Sequence, residues 1–319
     1  MKAIVQTDYG SPDVFTLKEI DKPEIKENQV LVNVHAAALN AGDVFGMRGS
    51  PYSVRMSLGW PKPKKYVPGY DVAGLVEAVG KNVTQFQPGD EVFGGAGHTF
   101  AEYVSAAKDK LVLRPAELTL VQVAAVPTSA VAALRGLHNA GKVQPGQKVL
   151  INGASGGVGT FAVQIAKALG AEVTGVCSTR NVELVRGLGA DHVIDYTQDD
   201  FTQGNLRYDL ILDNVANHSF SDYKRVLTTS GRVMPNSGHA GLGYILKAFG
   251  RSTYARQQGR PYFADPNNQD LVLLKEFIEA DKLTPVIDRT YPLNETTEAF
   301  RYLDQGHARG KVVITIAGD

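Results

Sequence analysis

Residues 148–177 read KVLINGASGGVGTFAVQIAKALGAEVTGVC, and this stretch decides the fold. Its first run, Lys148 to Asn152, is short, apolar and β-branched, which is typical of a buried parallel strand. Apolar residues then recur between positions 158 and 169 with helical spacing, and Gly170 stands where a left-handed C-cap is expected. A second apolar run, Glu172 to Cys177, follows. The stretch therefore predicts a unit of strand, glycine turn, helix and strand.

The glycine turn fits the fingerprint of a dinucleotide-binding βαβ unit. Ala154, Gly156 and Gly159 hold the three fingerprint positions, with alanine in place of the usual first glycine. Gly156 would let the backbone approach a pyrophosphate, and Gly159 would let the helix lie close to the strand. Exposed N–H groups and the helix dipole would then favour the phosphate charge. The residues predicted to make this contact are Ser155, Gly156, Gly157, Val158 and Gly159.

The same turn also matches the Gly-x-Ser-x-Gly nucleophile elbow of serine hydrolases, with Ser155 as the nucleophile. Asp213 and either His239 or His307 follow in the chain order of a catalytic triad. This alternative leaves Gly159 and the second strand with its polar end unexplained, so the dinucleotide fingerprint is the favoured interpretation. A glycine turn with only a packing role is a third alternative.

Length and composition indicate a globular protein of two domains. The chain has 319 residues, of which 43% are hydrophobic and 21% charged. Basic and acidic residues number 33 each, so no global charge indicates nucleic acid or an anionic membrane as a partner. No apolar run reaches the ~18 residues of a membrane span, and the N-terminus does not resemble a signal peptide. The single cysteine, Cys177, excludes an internal disulfide, and a cytoplasmic protein is expected.

Composition also divides the chain. Residues 1 to about 120 are predicted to form short strands with many turns, and segment 47–68, rich in glycine and proline, an irregular loop. Over residues 121–140 the composition changes to small residues that favour helix, and the domain boundary is placed there. Alternating strands and helices after it predict an α/β domain with a doubly wound parallel sheet. Later strands are predicted at 192–196, 210–214, 232–236 and near 261–263, a helix at 271–280, and final strands at 285–287 and 311–316.

Six segments, taken together and in order, resemble the medium-chain dehydrogenase/reductase superfamily in its zinc-free quinone oxidoreductase branch. The segments are Asn40-Ala-Gly-Asp43, Pro68-Gly-Tyr-Asp-Val-Ala-Gly74, Pro88-Gly-Asp-Glu-Val92, Ala154-Ser-Gly-Gly-Val-Gly159, Leu188-Gly-Ala-Asp191 and Arg309-Gly-Lys-Val-Val313. The resemblance covers nearly the whole chain. It implies a GroES-like, β-barrel-type catalytic domain (1–122 and 268–319) and a Rossmann domain (123–267), with the active site in the cleft between them. It also implies hydride transfer from a nicotinamide cofactor.

The resemblance allows the metal question to be examined residue by residue. Zinc-dependent relatives place a cysteine where Asn40 stands, and a His-Glu pair where Tyr70 and Asp71 stand. Asparagine and tyrosine are poor zinc ligands, whereas thiolate and imidazole are good ones. We therefore expect no catalytic metal. Without a Lewis acid, reduction should favour acceptors that are already electrophilic, such as quinones or activated C=C bonds.

Each candidate for the catalytic site has an alternative role. Asn40 and Asp43 either cap a turn before a short helix or, as the resemblance implies for Asn40, lie near the nicotinamide. Tyr52 is either a donor to the reduced oxygen or an exposed packing tyrosine. Thr128 resembles the family threonine that contacts the carboxamide, with a helix cap as the alternative. Lys311 is interpreted mainly as a solvated charge.

NADPH is predicted as the cofactor in preference to NADH. In a Rossmann unit that prefers NAD, an acidic residue at the end of the second strand binds the ribose 2′-hydroxyl. Ser178 holds this position, and Arg180, whose guanidinium suits phosphate, follows it. The alternative is that Ser178 caps the next helix and Arg180 is solvated. Further predicted cofactor contacts are Tyr196, implied by the resemblance, and Asn214 and Asn236, which end later strands.

The expected protein is thus an NADPH-dependent, zinc-independent reductase that acts on a small electrophilic acceptor. An NADPH-binding protein with little turnover stays open, because the sequence supports cofactor binding better than catalysis. The resemblance also implies a homodimer, in which edge strands of two Rossmann sheets pair, and the run near 261–263 is the candidate edge. Arg260 and Pro261 argue partly against this pairing, since charge and proline protect strand edges.

Overall fold

The computed structural model describes residues 1–64, 66–236 and 265–316. The chain divides into two compact units, the first made of residues 1–131, 265–279 and 285–319, and the second of 132–264 and 280–284. The first changeover, between 131 and 132, falls inside segment 121–140, where the composition changes, and later than the expected domain limit at 122. The expected domain limits stay a prediction.

The strands, in chain order, are β1 (Lys2–Gln6), β2 (Phe15–Glu19), β3 (Gln29–Ala38), β4 (Asp71–Val79), β5 (Glu91–Gly95), β6 (Tyr103–Ala107), β7 (Leu111–Leu113), β8 (Lys148–Asn152), β9 (Glu172–Cys177), β10 (His192–Asp195), β11 (Tyr208–Asp213), β12 (Leu227–Pro235), β13 (Ile287–Pro292) and β14 (Lys311–Thr315). The α-helices are α1 (Ala41–Arg48), α2 (Ser53–Leu58), α3 (Leu120–Ala124), α4 (Pro127–Leu134), α5 (Gly157–Ala168), α6 (Val182–Gly187), α7 (Phe220–Arg225), α8 (Asn268–Glu279) and α9 (Thr296–Asp304). Among the described residues, no helix has the length and apolarity to cross a bilayer.

A largely antiparallel sheet forms the centre of the first unit. Its strand order is β13-β14-β3-β4-β5-β7, and β6 pairs with β3 as well. Strand β3 is long and apolar, with most of its side chains buried, so it can pair with neighbours on both edges and line the core. The core beside it includes Val32, Val72, Phe100 and Phe300. The chain thus returns to this sheet after the second unit, through β13 and β14.

The second unit contains a parallel sheet in the order β10-β9-β8-β11-β12. This order is that of a Rossmann sheet, in which the chain starts in the middle and builds outward in both directions. Helix α5 packs against β8 and β9, α6 against β10, and α7 against β12. The predicted Rossmann fold is confirmed. The strand predicted near 261–263, and with it the proposed dimer edge, lies outside the described residues.

Three predicted elements differ from the structure by more than small shifts of their ends. Segment 47–68 contains the end of α1 and the short helix α2, because Pro51 and Gly59 flank that helix without interrupting it. The strand predicted at 285–287 begins only at Ile287, and the strand predicted at 232–236 already begins at Leu227. Strand β4 was expected only as a family motif, although it forms nine residues of the central sheet.

Candidate active site

The turn between β8 and α5 has the geometry that a phosphate group needs. Gly153 has a φ of +77°, a left-handed conformation that glycine adopts readily, so Gly153 makes the tight turn before Ala154. A Cβ added to Gly156 would have Gly153 O as its neighbour at 3.6 Å, whereas a Cβ on Gly159 would lie 2.0 Å from the same oxygen. Gly156 therefore leaves the backbone open to a ligand, and Gly159 is required for close packing of the helix.

Asn181, which sequence reasoning missed, joins this turn to the end of β9. Its Nδ2 donates to Ser155 Oγ at 3.0 Å and to Ser178 Oγ at 3.2 Å. The side chain is 5% exposed, and its Oδ1 is buried without a hydrogen-bond partner among the described residues. Leaving a buried acceptor unpaired costs about 1–3 kcal/mol. The corner therefore fits a ligand that brings hydroxyl donors, such as the ribose of a dinucleotide.

Ser178, Arg180 and Tyr196 come together at this corner of the sheet. Ser178 precedes the short 3-10 helix Thr179–Asn181, and Arg180 within it is exposed. Tyr196 follows β10, donates its N–H to Cys177 O at 3.0 Å and has a side chain that is 59% exposed. Cys177 itself is buried, and burial raises the pKa of its thiol to about 11, which keeps it unreactive.

A carboxylate also stands at this corner, and the sequence analysis did not consider it. Asp195 ends β10, and its Oδ2 accepts the Thr179 hydroxyl at 2.6 Å. Its Oδ1 accepts the Thr197 N–H at 3.0 Å and the Thr197 hydroxyl at 2.8 Å. The hydrogen bond from Thr179, with those from Thr197 and Gln198, lowers the pKa of Asp195. The corner therefore holds one anion as well as Arg180.

Asn214 and Asn236 meet at the carboxyl ends of β11 and β12. Asn214 Nδ2 donates to Asn152 O at 3.0 Å, and Asn214 Oδ1 accepts from Asn236 Nδ2 at 2.7 Å. The Asn236 N–H donates to Asp213 O at 2.8 Å. Ligands of open parallel sheets bind outside the carboxyl ends of the strands, so this amide pair lies at the expected edge.

In the first unit, three strand ends bring polar side chains together. Ala38 on β3 pairs with Asp71, the first residue of β4, and also with Val313 on β14. Asn40 lies two residues beyond Ala38, and Lys311 lies two residues before Val313. The sheet register thus converges Asn40, Asp71 and Lys311, although they are far apart in the sequence.

With two further side chains, they form a largely buried hydrogen-bond network, which we call the Lys311 network and define as Asn40, Asp71, Thr128, Ser129 and Lys311. Lys311 Nζ donates to Asn40 Oδ1 at 2.5 Å, to Ser129 Oγ at 3.0 Å and to Asp71 Oδ2 at 3.3 Å. Asp71 Oδ2 also accepts from Asn40 Nδ2 at 3.0 Å, while its Oδ1 accepts the Thr128 N–H at 3.0 Å and the Thr128 hydroxyl at 2.5 Å. The Asn40 amide is therefore engaged at both ends.

The interpretation of Lys311 as a solvated charge is wrong. Lys311 is 2% exposed and Asp71 is fully buried. Burial lowers the pKa of Lys311, while Asp71 and Asp43 act in the opposite direction. Breaking a buried ion pair by removing one partner typically costs about 3–5 kcal/mol, so each of these two charges depends on the other.

Asp43 lies beside this network in the first turn of α1. Its Oδ2 accepts the Asn40 N–H at 2.8 Å, as a residue in the third position of a capping box does. Burial raises the pKa of Asp43 to about 7, and Asp71 raises it too, whereas hydrogen bonds from Asn40 and Gly69 and the charge of Lys311 lower it. Asp43 is therefore a carboxyl group poised to change charge near neutral pH.

Tyr52 does not join this network. It is 70% exposed, its ring centroid lies 5.9 Å from that of Trp60, and the Arg55 guanidinium lies 4.9 Å from the Tyr52 ring. Its hydroxyl therefore belongs to an exposed aromatic surface.

Tyr70, which stands at a position that the resemblance assigns to a zinc ligand, is engaged in another bond. The Tyr70 hydroxyl donates to Asp265 Oδ1 at 2.6 Å, and Lys110 Nζ donates to Asp265 Oδ2 at 2.6 Å. In the part of the chain that the structure describes, no three His, Cys, Asp or Glu side chains are grouped to hold a metal ion.

The arrangement around Ser155 does not support a hydrolytic triad. The Ser155 hydroxyl accepts from the Asn181 amide, and an amide cannot act as the general base of a serine nucleophile. Asp213 Oδ1 accepts from Asn152 Nδ2 at 3.0 Å and from the Ala216 N–H at 3.0 Å, so it organises the loop after β11. His239 lies outside the described residues.

Comparison with known proteins identifies the family. Residues 26–116 match the alcohol dehydrogenase GroES-like domain family, and residues 188–314 match the zinc-binding dehydrogenase family. A 2-methylene-furan-3-one reductase of Solanum lycopersicum is 34% identical over 98% of this chain and 79% of its own length. The NADPH-dependent alkenal/one oxidoreductase of Arabidopsis thaliana, a chloroplastic protein, is 33% identical with the same coverage of both chains.

Solved structures agree with this assignment. The quinone oxidoreductase from Coxiella burnetii is 30% identical, covers 99% of both chains and has a TM-score of 0.85. The CurK enoyl reductase is 26% identical, also covers 99% of both chains and has a TM-score of 0.88. The chain therefore belongs to the medium-chain dehydrogenase/reductase superfamily, in its quinone oxidoreductase branch, and is an oxidoreductase.

Proposed function

We propose that this chain is an NADPH-dependent, zinc-independent reductase that transfers a hydride to an α,β-unsaturated carbonyl compound or to a quinone. The observation that carries the proposal is that the buried Lys311 ammonium donates hydrogen bonds to Asn40 and Asp71. The resemblance places metal ligands of zinc-dependent relatives at these two positions. A divalent cation there would be repelled by the ammonium. The acceptor must therefore be electrophilic without help from a metal.

The residues of the second unit fit NADPH. The open backbone at Gly156, the α5 N-terminus and the hydroxyls of Ser155 and Ser178 would hold the pyrophosphate and the ribose. Arg180 and Tyr196 would bind the 2′-phosphate, and Asn214 and Asn236 would contact the part of the dinucleotide nearest β11. Bound NADPH supplies a hydride from C4 of its nicotinamide ring.

The first unit is proposed to orient the acceptor and to stabilise the charge that develops on its oxygen. Negative charge develops on the acceptor oxygen as the hydride arrives, and a donor preorganised for that oxygen lowers the barrier. The exposed Tyr52 hydroxyl or a backbone N–H is proposed for this role, since the Asn40 amide is engaged within the Lys311 network. Asp43 fixes the backbone of Asn40, and the final proton is proposed to come from water.

Two relatives support the acceptor class, because their names specify a 2-methylene-furan-3-one reductase and an alkenal/one oxidoreductase. The test is stopped-flow oxidation of enzyme-bound NADPH against a panel of enones, alkenals and quinones. We expect oxidation by enones or quinones within a single turnover and slow reaction with unactivated aldehydes. Tight NADPH binding without oxidation by any acceptor would favour the alternative, a binding protein with little turnover.

A cytoplasmic homodimer is part of the same proposal. Light scattering at micromolar concentration should give twice the 34.3 kDa of one chain. A mass of one chain would end the dimer proposal. The relatives include chloroplastic and mitochondrial proteins, so the location needs its own measurement, by fractionation of the source cells.

A further inference from the structure

Asn181 does not cap the helix at whose start it stands. It holds the N-cap position of α6, where an asparagine side chain usually accepts a backbone N–H of the first turn. Here the side chain makes no capping hydrogen bond, and its Oδ1 is buried without a hydrogen-bond partner among the described residues. The amide is instead bonded to Ser155, in the turn between β8 and α5, and to Ser178, directly after β9.

The two N–H groups of this amide fix the hydrogen-bond direction of both serine hydroxyls. Nδ2 donates to Ser155 Oγ at 3.0 Å and to Ser178 Oγ at 3.2 Å. Each oxygen uses a lone pair in its bond, so each hydroxyl hydrogen points away from Asn181 and can be donated elsewhere. Within the described part of the chain, neither hydroxyl donates to a protein acceptor, and Ser178 makes no side-chain cap to the 3-10 helix that follows it.

The reverse orientation of the amide is less favourable. It would turn Oδ1 toward the serines and place both N–H groups where Oδ1 now lies without a partner, in a side chain that is 5% exposed. Two orphaned donors would then replace one orphaned acceptor, and each unpaired buried polar group costs free energy. The observed orientation is therefore the preferred one, and it leaves two hydroxyl hydrogens available to a ligand.

An anion is the ligand that such hydrogens suit. Hydroxyl groups donate shorter and stronger hydrogen bonds to charged acceptors than to neutral ones. Ser155 directly precedes Gly156, whose backbone is open to a ligand, and Ser178 lies two residues before Arg180. The oriented hydroxyls thus stand beside the two places where the second unit offers room or charge to a phosphate.

We propose that Asn181 is a positioning residue that makes both serine hydroxyls hydrogen-bond donors to phosphate, Ser155 to the pyrophosphate at the glycine turn and Ser178 to the 2′-phosphate beside Arg180. The inference rests on the proposed function, because these phosphates are those of NADPH. All the residues involved belong to the second unit. A single uncharged, buried side chain is thereby expected to strengthen two separate phosphate contacts without touching either phosphate.

Three nucleotides that lack the nicotinamide test this in the intact protein: adenosine 2′,5′-bisphosphate, adenosine 5′-phosphate and adenosine 2′-phosphate. The affinity of the bisphosphate relative to each monophosphate measures the contribution of one phosphate group. Calorimetric titration of the wild type should show the bisphosphate binding about tenfold tighter or more, the weight of one charge-assisted hydrogen bond. Ser178→Ala should reduce only the contribution of the 2′-phosphate, and Ser155→Ala only that of the 5′-phosphate.

Variants of Asn181 should reduce both contributions at once. Asn181→Leu, which removes the amide and roughly keeps the volume, should lower each by about threefold to tenfold, because each hydroxyl can then turn its hydrogen away from the ligand. Asn181→Asp should lower each further, since a carboxylate accepts both hydroxyl hydrogens and repels phosphate. Asn205→Asp, the same change at an exposed residue that precedes β11 at the amino end of the parallel sheet, should keep the wild-type affinities.

A double-mutant cycle separates positioning from a merely structural role. When both serines are replaced by alanine, Asn181 has no hydroxyl to orient, so adding Asn181→Leu should change neither phosphate contribution. The melting temperature of ligand-free Asn181→Leu should be unchanged or raised, because the substitution also removes the unpaired Oδ1. A structural support of the corner predicts the opposite: a lowered melting temperature, and a loss of affinity that persists in the alanine background.

The outcomes separate this inference from the proposed function. A wild type that binds neither NADPH nor the bisphosphate would overturn both. Tight binding of the bisphosphate by the wild type, with both phosphate contributions kept in Asn181→Leu and Asn181→Asp, would overturn the Asn181 inference alone. A loss confined to one phosphate in Asn181→Leu, or one that persists without the serines, would do the same.

Discussion

At the scale of single residues, Arg180 is the side chain on which the choice between NADPH and NADH is proposed to rest. It lies exposed in the first turn after β9, beside Ser178. A charge-assisted hydrogen bond contributes about 1.5–3 kcal/mol, so Arg180→Ala should weaken NADPH binding by roughly 10- to 150-fold at about 1.4 kcal/mol per decade. NADH binding should change much less. Fluorescence titration of both cofactors measures this.

Replacing Asp195 should change the affinity for NADPH in the direction opposite to that of Arg180→Ala. Its carboxylate accepts a hydrogen bond at 2.6 Å from the hydroxyl of Thr179, the residue before Arg180. This negative charge would repel a 2′-phosphate. Asp195→Asn should therefore tighten NADPH binding by a few fold and leave NADH binding unchanged. Equal loss of both cofactors in Arg180→Ala, or no response of NADPH to either variant, would contradict the assignment of this corner.

The buried carboxyl group of Asp43 predicts how stability depends on pH. Its pKa is about 7 in the folded protein, above the ordinary value of 3.8, so the native state binds the proton more tightly than the unfolded state. The stability that this proton contributes is fully present below about pH 4 and is lost as the pH rises through about 7.

The prediction concerns the difference between the wild type and Asp43→Asn, which mimics the protonated side chain. From about pH 4 to pH 7 the wild type should lose a few kcal/mol of unfolding free energy relative to the variant, since one pKa unit corresponds to about 1.4 kcal/mol. Urea unfolding across this range measures it, with the exposed Asp109→Asn as control. A difference that is independent of pH would show that Asp43 does not titrate there.

Residues such as Lys311 mark the limit of what the sequence could predict at this scale. Thr128, Ser178 and Arg180 could be named because each stands at a position relative to a local motif. Lys311 is the first residue of a strand, where a charged residue usually faces solvent, and its partner Asp71 is 240 positions away. Only the register of β3 with β4 and β14 brings the two charges together, and register between distant strands is not written in any local pattern.

At the scale of elements, Gly156 and Gly159 at the start of α5 are needed for different reasons. A Cβ at Gly156 would have 3.6 Å to Gly153 O, whereas a Cβ at Gly159 would have 2.0 Å to the same atom and 2.7 Å to Ala154 C. Gly159→Ala should therefore lower the free energy of unfolding by about 1–3 kcal/mol or more, as overpacking does. Gly156→Ala should leave stability within about 0.5 kcal/mol, typical of a change without strain.

Cofactor affinity should show the reverse order: Gly156→Ala should lower it more than Gly159→Ala does. The added methyl group at Gly156 occupies the space through which a pyrophosphate approaches the backbone, so Gly156→Ala should weaken NADPH and NADH alike. Thermal unfolding without ligand and titration of both cofactors give the two readouts. If Gly156→Ala lost stability but kept cofactor affinity, the turn would have a packing role only.

Strong periodicity explains which elements the sequence could predict. Strands β8 and β9 are short apolar runs bounded by turn residues, and the predicted runs from Lys148 to Asn152 and from Glu172 to Cys177 coincide with them. Strand β4 contains Gly74, where a Cβ would lie 2.0 Å from Asn33 O, so the glycine that permits close strand pairing also weakens the local strand signal. Helix α2 was missed because prolines and glycines surround it, and the same residues are typical of loops.

At the scale of the whole molecule, the chain shares its family with zinc enzymes, whereas the function proposed for it requires no zinc. The family model that matches residues 188–314 carries the description zinc-binding dehydrogenase. A zinc site requires thiolate, imidazole or carboxylate ligands with free lone pairs. Here the carboxylate of Asp71 accepts four hydrogen bonds, from Thr128, Asn40 and Lys311.

The Lys311 ammonium is a further obstacle to zinc at this position. It lies 3.3 Å from Asp71 Oδ2, and two cations sharing one buried carboxylate repel each other strongly at low dielectric. A metal could enter only if Lys311 lost its proton or moved, and either change would break its bonds to Asn40 and Ser129. The network therefore already contains the positive charge that the carboxylate needs.

The resulting prediction covers both metal content and activity. Elemental analysis of the purified, chelator-washed protein should show zinc well below one atom per chain, and reduction of an enone or quinone should be unchanged by chelators. Lys311→Met provides the internal comparison, because removing the ammonium leaves a buried carboxylate beside the Asn40 amide and should make the site more tolerant of a divalent ion. Stoichiometric zinc in the wild type, or activity lost to a chelator and restored by zinc, would overturn the prediction that the enzyme works without a metal.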